Sequence, residues 1–77
     1  MSKEHIQDVV LQSLQAYFKD LDGQKPTDVY NMIMYTVEKP VLMAVMAHAN
    51  NNQSQAAEML GINRNTLRKK LLEHNLL

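Results

Sequence analysis

Four of the eight basic residues fall in seven consecutive positions, Arg64, Arg68, Lys69 and Lys70. Asn52, Ser54, Asn63, Asn65 and Thr66 lie close by in sequence. Guanidinium and ammonium groups at this density bind polyanions, and an arginine can also bridge guanine O6 and N7 with two parallel hydrogen bonds. Amide and hydroxyl side chains add phosphate contacts or cap helices. A solvated basic helix end would carry the same charge, so the cluster alone does not decide. Other chemistry lacks its groups. There is no cysteine, and the three histidines, His5, His48 and His74, are too far apart for a ligand pair. No paired carboxylates and no glycine-rich phosphate loop occur. We therefore expect no enzyme activity, no metal and no cofactor.

The charge is unevenly spread although it sums to zero. Residues 1–49 carry four lysines and six acids, net −2; residues 50–77 carry four bases and two acids, net +2. Such asymmetry is a nucleic-acid signal. If all four clustered bases met phosphate, a dimer would make about eight contacts and its salt slope would be no steeper than about −7.

The element that presents this cluster reads as a helix-turn-helix. Helices are expected around 53–60 and 64–74, joined by Gly61-Ile62-Asn63. Ala57, with Ala56 beside it, is small enough for two helices to approach. Gly61 tolerates the positive φ of the turn, and Ile62 is its inward anchor. Leu60, Leu67 and Leu71 complete a small core, and Asn63 caps the second helix. With Leu67 and Leu71 inward, Asn65, Arg68 and Lys69 turn outward. Arg64 sits in the first turn, where base contacts of such recognition helices concentrate. Lys69, Arg68 and Thr66 suit phosphates. Asn52 and Ser54, at the start of the first helix, suit either capping or a phosphate.

Two longer helices precede the motif. The first spans about 3–21, with Ile6, Val9, Val10, Leu14, Tyr17, Phe18 and Leu21 on one stripe; Ser2 is its N-cap and Gly23 follows its end. The second starts near Asp28, capped by Thr27, and is apolar nearly all round. Pro40 should kink it rather than end it. Asn50-Asn51-Asn52 breaks the chain before the motif. Seventy-seven residues, 45% hydrophobic, make one small domain without disulfides. One such chain cannot cover every face of a twenty-residue helix, so a homodimer is expected. Met32, Met34, Met43 and Met46 suit that packing. No apolar run is long enough for a membrane span, and Met1-Ser2-Lys3-Glu4-His5 does not open a signal peptide. The expected location is cytoplasmic.

These residues resemble the Fis family (factor for inversion stimulation). The resemblance is carried by Gly61-Ile62-Asn63-Arg64-Asn65-Thr66-Leu67-Arg68-Lys69-Lys70-Leu71, by Asn51-Asn52-Gln53-Ser54-Gln55-Ala56-Ala57, by Glu38-Lys39-Pro40-Val41-Leu42, and by Tyr17 to Gln24. It runs from about Ile6 to Leu76. It implies an all-α fold: a four-helix protomer whose first two helices, within 1–49, build an intertwined dimer core, with the helix-turn-helix in 50–77. It also implies a nucleoid-associated regulator that binds and bends double-stranded DNA, because recognition helices set closer than one turn of B-DNA force the site to curve. By the same resemblance Arg64 reads a guanine near each end of the site and Asn63 lies close to bases. Asn52, Ser54, Thr66, Arg68 and Lys69 contact the backbone.

The chain departs from the well-studied members in two ways. It begins where their mobile arm would end, so recombinase contact is not part of the expectation. Asn50, Gln55, Leu72 and Glu73 stand where those members are basic: the loss at Asn50 and Gln55 weakens flank contacts, so RNA-polymerase contact is not part of the expectation, and Leu72 and Glu73 reduce the phosphate-binding charge, which implies weaker or more salt-sensitive DNA binding. Two other readings fit the same residues. One is the C-terminal DNA-binding domain of an NtrC-type enhancer-binding activator. The other is a helical protein-interaction dimer that never touches DNA.

Overall fold

The computed structural model describes residues 2–77. Among the described residues there are four helices and no strand: α1 (Lys3–Asp20), α2 (Val29–His48), α3 (Gln53–Leu60) and α4 (Arg64–Glu73). The all-α expectation is met, with helix ends within a residue of those expected for α1 and α4.

Local chemistry explains most of the boundaries. Ser2 Oγ accepts from the backbone N–H of His5 at 3.1 Å and so caps α1. Glu4 in the first turn and Lys19 in the last complement the helix dipole. The N-cap of α2 is Asp28, not Thr27 as the sequence suggested. Asp28 adopts a left-handed conformation (φ 53°), and its carboxylate accepts from Asn31 Nδ2 at 2.8 Å instead of from a backbone amide. With Asp28 turned this way, the helix begins one position later than a threonine cap would set it. α2 then runs unbroken through Pro40 to His48.

Three helix ends use one device. A left-handed residue lets two successive amides turn back on the last turn. At α2 these are Asn50 N–H to Ala47 O (3.2 Å) and Asn51 N–H to Met46 O (2.9 Å). At α3 they are Gly61 N–H to Glu58 O and Ile62 N–H to Ala57 O, both 3.1 Å. Asn75 and Leu76 repeat the pattern after α4, on Leu72 O and Leu71 O. The break at the asparagine run is thus a pair of caps: Asn50 closes α2, and Asn52 Oδ1 opens α3 by accepting from Gln55 N–H at 3.0 Å.

The core lies in the second half of the chain. Leu42, Ala49, Ala56, Ala57, Leu67 and Leu71 are buried, with Val45, Met46, Leu60, Ile62 and Leu76 packed around them. Ala56 and Ala57 let α3 lie close to both α2 and α4. The first half is different. No residue of α1 is buried, and α2 buries only Leu42. Ile6, Val9, Tyr30, Met34 and Met43 are each about half exposed or more. The apolar stripe of α1 and most of the apolar surface of α2 are therefore uncovered in the protomer.

The molecule measures 44 × 27 × 16 Å, with a radius of gyration of 14.9 Å. A compact chain of this length would have a radius of roughly 11–12 Å. Its accessible surface is 6253 Å², whereas a folded monomer of this mass exposes about 4800 Å².

Candidate nucleic-acid interface

The turn of the motif is built by Gly61 (φ 73°) and closed by Asn63, whose Oδ1 accepts from Asn65 N–H at 2.7 Å. Leu67 and Leu71 are fully buried against α2 and α3. That fixes the rotation of α4, and Arg64, Asn65, Thr66, Arg68 and Lys69 are all exposed. Asn52, Ser54 and Asn63 are exposed as well. The side-chain oxygens of Asn52 and Asn63 are occupied by their own helices. Their Nδ2 groups still have donors to offer an incoming acceptor.

The fold brings two of the expected residues together. Arg64 Nη1 donates to Ser54 Oγ at 3.3 Å across ten positions of sequence. The first turn of α4 therefore faces the first turn of α3. Arg68 and Lys69 continue the cationic surface one turn further along α4. Among the described residues none of Arg64, Arg68 and Lys69 is in an ion pair, so their charge is uncompensated at short range. No acidic side chain occurs between Asn52 and Lys69 except Glu58. A surface of guanidinium, ammonium, amide and hydroxyl donors suits contact with a polyanion. No group of metal-binding side chains forms among the described residues.

Lys70 does not belong to this surface. Its Nζ lies 2.8 Å from Glu38 Oε2 on α2. The other oxygen of that carboxylate, Oε1, is 2.8 Å from His74 Nε2. A carboxylate can only accept, so Nε2 carries the proton and donates. The His74 ring is fully buried, stacked on Tyr35 with ring centres 4.2 Å apart. Tyr35 Oη donates to the carbonyl of Glu73 at 3.2 Å. His74 Nδ1 is buried without a partner. The hydrogen bond from Lys70, and next that from His74, hold the Glu38 carboxyl below the usual carboxylate range. The same bond raises the Lys70 ammonium above the ordinary lysine value. Of the four clustered cations three are thus free of ion pairs, Arg64, Arg68 and Lys69.

Tyr35, Glu38 and His74 were not singled out from the sequence, yet a signal was there. Lys70 and His74 lie three and seven residues after Leu67, on the inward stripe of α4, and Glu38 lies one turn before Leu42 on α2. Polar residues on an apolar stripe announce a buried or half-buried partner.

The sequence profile described as "Bacterial regulatory protein, Fis family" matches residues 34–74. A Fis-like DNA-binding protein of Ralstonia nicotianae is 53% identical over 77 residues, the full length of both chains. One of Neisseria meningitidis serogroup A is 54% identical over 72 residues, which is 94% of this chain and 91% of that protein. The DNA-binding protein Fis of Glaesserella parasuis is 48% identical over 67 residues, 87% of this chain and 68% of that one.

Proposed function

The chain belongs to the Fis family of bacterial regulatory proteins, and on that premise we propose that it acts as a homodimer that binds and bends double-stranded DNA through α3 and α4. One observation carries the reading: α4 buries Leu67 and Leu71 while exposing the unpaired cations Arg64, Arg68 and Lys69, with Arg64 facing the start of α3. In this reading α4 enters the major groove with its first turn leading. Arg64 reads a guanine, and Asn63 and Asn65 lie near base edges. Asn52, Ser54, Thr66, Arg68 and Lys69 hold phosphates. The protein is a regulator, not an enzyme. No helix of the described residues is long and apolar enough to cross a membrane, and a place in the bacterial nucleoid follows from the DNA partner.

The dimer reading rests on surface. The protomer exposes about 1500 Å² more than a compact chain of its mass, concentrated in the apolar residues of α1 and α2. Two protomers pooling that surplus would bury about 3000 Å², within the range of obligate homodimers. Residues 1–49 then supply the dimer core and residues 50–77 the DNA contacts, all within one domain.

A gel-shift comparison of straight and pre-bent duplexes tests the proposal. Tighter binding to the pre-bent duplex is the expected result. Absence of any shift at low salt would leave the protein-interaction dimer as the better reading.

A further inference from the structure

α4 is attached to α2 in two chemically distinct ways. The first is the apolar node formed by Leu42, Leu67 and Leu71 with the alanines of α3. Contacts of this kind are non-directional, and packing alone leaves interhelical angles scattered by about 15–20°. The second attachment lies one turn away along α2. There Glu38 accepts from both Lys70 and His74 at 2.8 Å, and Tyr35 stacks on His74 and bonds the Glu73 carbonyl. Charge-assisted bonds of this length are directional and weaken when either helix tilts.

We propose that Glu38 is a positioning residue: by gripping Lys70 and His74 it sets the tilt of α4 on α2, and so the separation of the two DNA half-sites that the dimer accepts. This rests on the DNA-binding dimer proposed above. The lever is long enough to matter. Arg64 lies about five residues before the midpoint of Leu67 and Leu71, about 7–8 Å along the helix axis. A tilt of about 15° about the apolar node moves the Arg64 backbone by about 2 Å. In a symmetric dimer both recognition helices move, a change of up to about 4 Å, comparable to the roughly 3.4 Å rise of one base pair. Without a second attachment, neighbouring half-site separations would be nearly equivalent. His74 also carries a cost that a leucine would not, since its buried Nδ1 has no partner. The directed Nε2 bond to Glu38 is what that cost secures.

The test uses the full chain and duplexes whose outer guanines are separated by an increasing number of base pairs. Binding of the unaltered protein should peak at one separation and fall about tenfold one base pair to either side, as bending and twisting penalties accumulate. Glu38→Ala and Lys70→Met, each checked for unaltered helicity, should flatten that peak to about threefold or less, with Glu38→Gln, which keeps one acceptor, in between. Lys70→Met keeps the apolar stem, so it reads the clamp even if Glu38→Ala fails to fold. A folded variant of either kind that binds more weakly but keeps the sharp peak overturns the positioning role. So does a flat profile for the unaltered protein. Failure of the unaltered protein to bind any duplex is a different result: it removes the DNA-binding reading itself, and this proposal with it.

Discussion

The guanidinium of Arg64 spans the motif to the hydroxyl of Ser54, with Nη1 3.3 Å from Oγ. A long side chain that would otherwise sample many rotamers is held over the mouth of α3 before DNA arrives, so less of its freedom is left to lose on binding. In the proposed complex this arginine and Lys69 do different work, and the difference can be measured.

Arg64→Ala should remove about 1–3 kcal/mol of preference for sites bearing the outer guanines. Lys69→Ala should weaken guanine-bearing and guanine-free duplexes alike, because a phosphate contact carries no sequence information. Competition binding on paired duplexes separates the two. If the hydroxyl prepares the arginine, Ser54→Ala should lower guanine preference in the parent but not in the Arg64→Ala background. Equal losses on both duplexes for Arg64→Ala would refute its assignment.

Much of this site is legible in the sequence because its signals are local. Gly61 and Asn63 act within one turn, and Ala57 and Leu67 are buried as their spacing on the two helices indicates. The non-local features were not legible. That Lys70 is lost to Glu38 depends on two helices meeting 32 positions apart, which periodicity cannot supply. Thr27 failed as a cap for a related reason. Thr27 and Asp28 both satisfy the local rule for an N-cap, and only the path of the chain, with Asp28 left-handed, selects between them. α2 is apolar nearly all round and was not expected to be covered by one chain; in the protomer it buries only Leu42.

That uncovered surface gives the second expectation. Sedimentation at low micromolar concentration should return twice the protomer mass, and dilution should lower helicity and mass together, since α1 buries nothing on its own. A stable, fully helical monomer at that concentration would contradict the dimer.

Gly61 offers a clean test of the turn. It sits at φ 73°, and a Cβ there would touch nothing within 4 Å. Any cost of Gly61→Ala is therefore backbone strain, of about 1 kcal/mol. Gly61→Asn should cost less, since Asn50 and Asn75 hold the same conformation at two other helix ends of this chain (φ 53° and 57°). Denaturant midpoints for the two variants should follow that order.

Glu38 should contribute to the acid dependence of stability. Its folded carboxyl is held below the usual range, first by the Lys70 bond and then by His74. A depressed carboxyl contributes stability in full above its unfolded value of about 4.3 and loses it as the pH falls through the folded value. Glu38→Ala should therefore cost about 1–2 kcal/mol near neutrality, and the gap from the unaltered protein should begin to narrow below the unfolded value of about 4.3 and close as the pH falls through the lower folded value. Lys70 runs the opposite way. Its raised value means that its contribution is present below the ordinary lysine value and is lost as the pH climbs past it. Urea titrations across this range should show the acid convergence; a gap that stays constant to pH 3 would mean the carboxylate does not link the helices in solution.

The last expectation concerns base pairs that the protein does not touch. In the proposed complex each protomer presents few base-reading groups, chiefly Arg64 and Asn63, and with Lys70 engaged by Glu38 it keeps two cations, Arg68 and Lys69, for phosphates. A dimer then neutralises about four phosphates from these helices, and the dependence of log K on log salt should be no steeper than about −4. Four phosphate contacts supply affinity without choice, and two arginines supply limited choice. Two half-sites on straight DNA lie about 34 Å apart. A dimer whose recognition helices sit closer than that must bend the duplex to engage both. Bending a site of this size costs on the order of 1–6 kcal/mol, and narrow-groove A·T tracts or flexible pyrimidine–purine steps lower it. Selectivity should therefore lie largely in the centre of the site. Duplexes with identical outer guanines but A·T-rich or G·C-rich centres, compared at one salt concentration, should differ in affinity by about tenfold or more in favour of A·T. Affinities within twofold of each other would mean that the dimer reads only what it touches, and the bending mechanism would have to be abandoned while the dimer and its arginine contacts could stand.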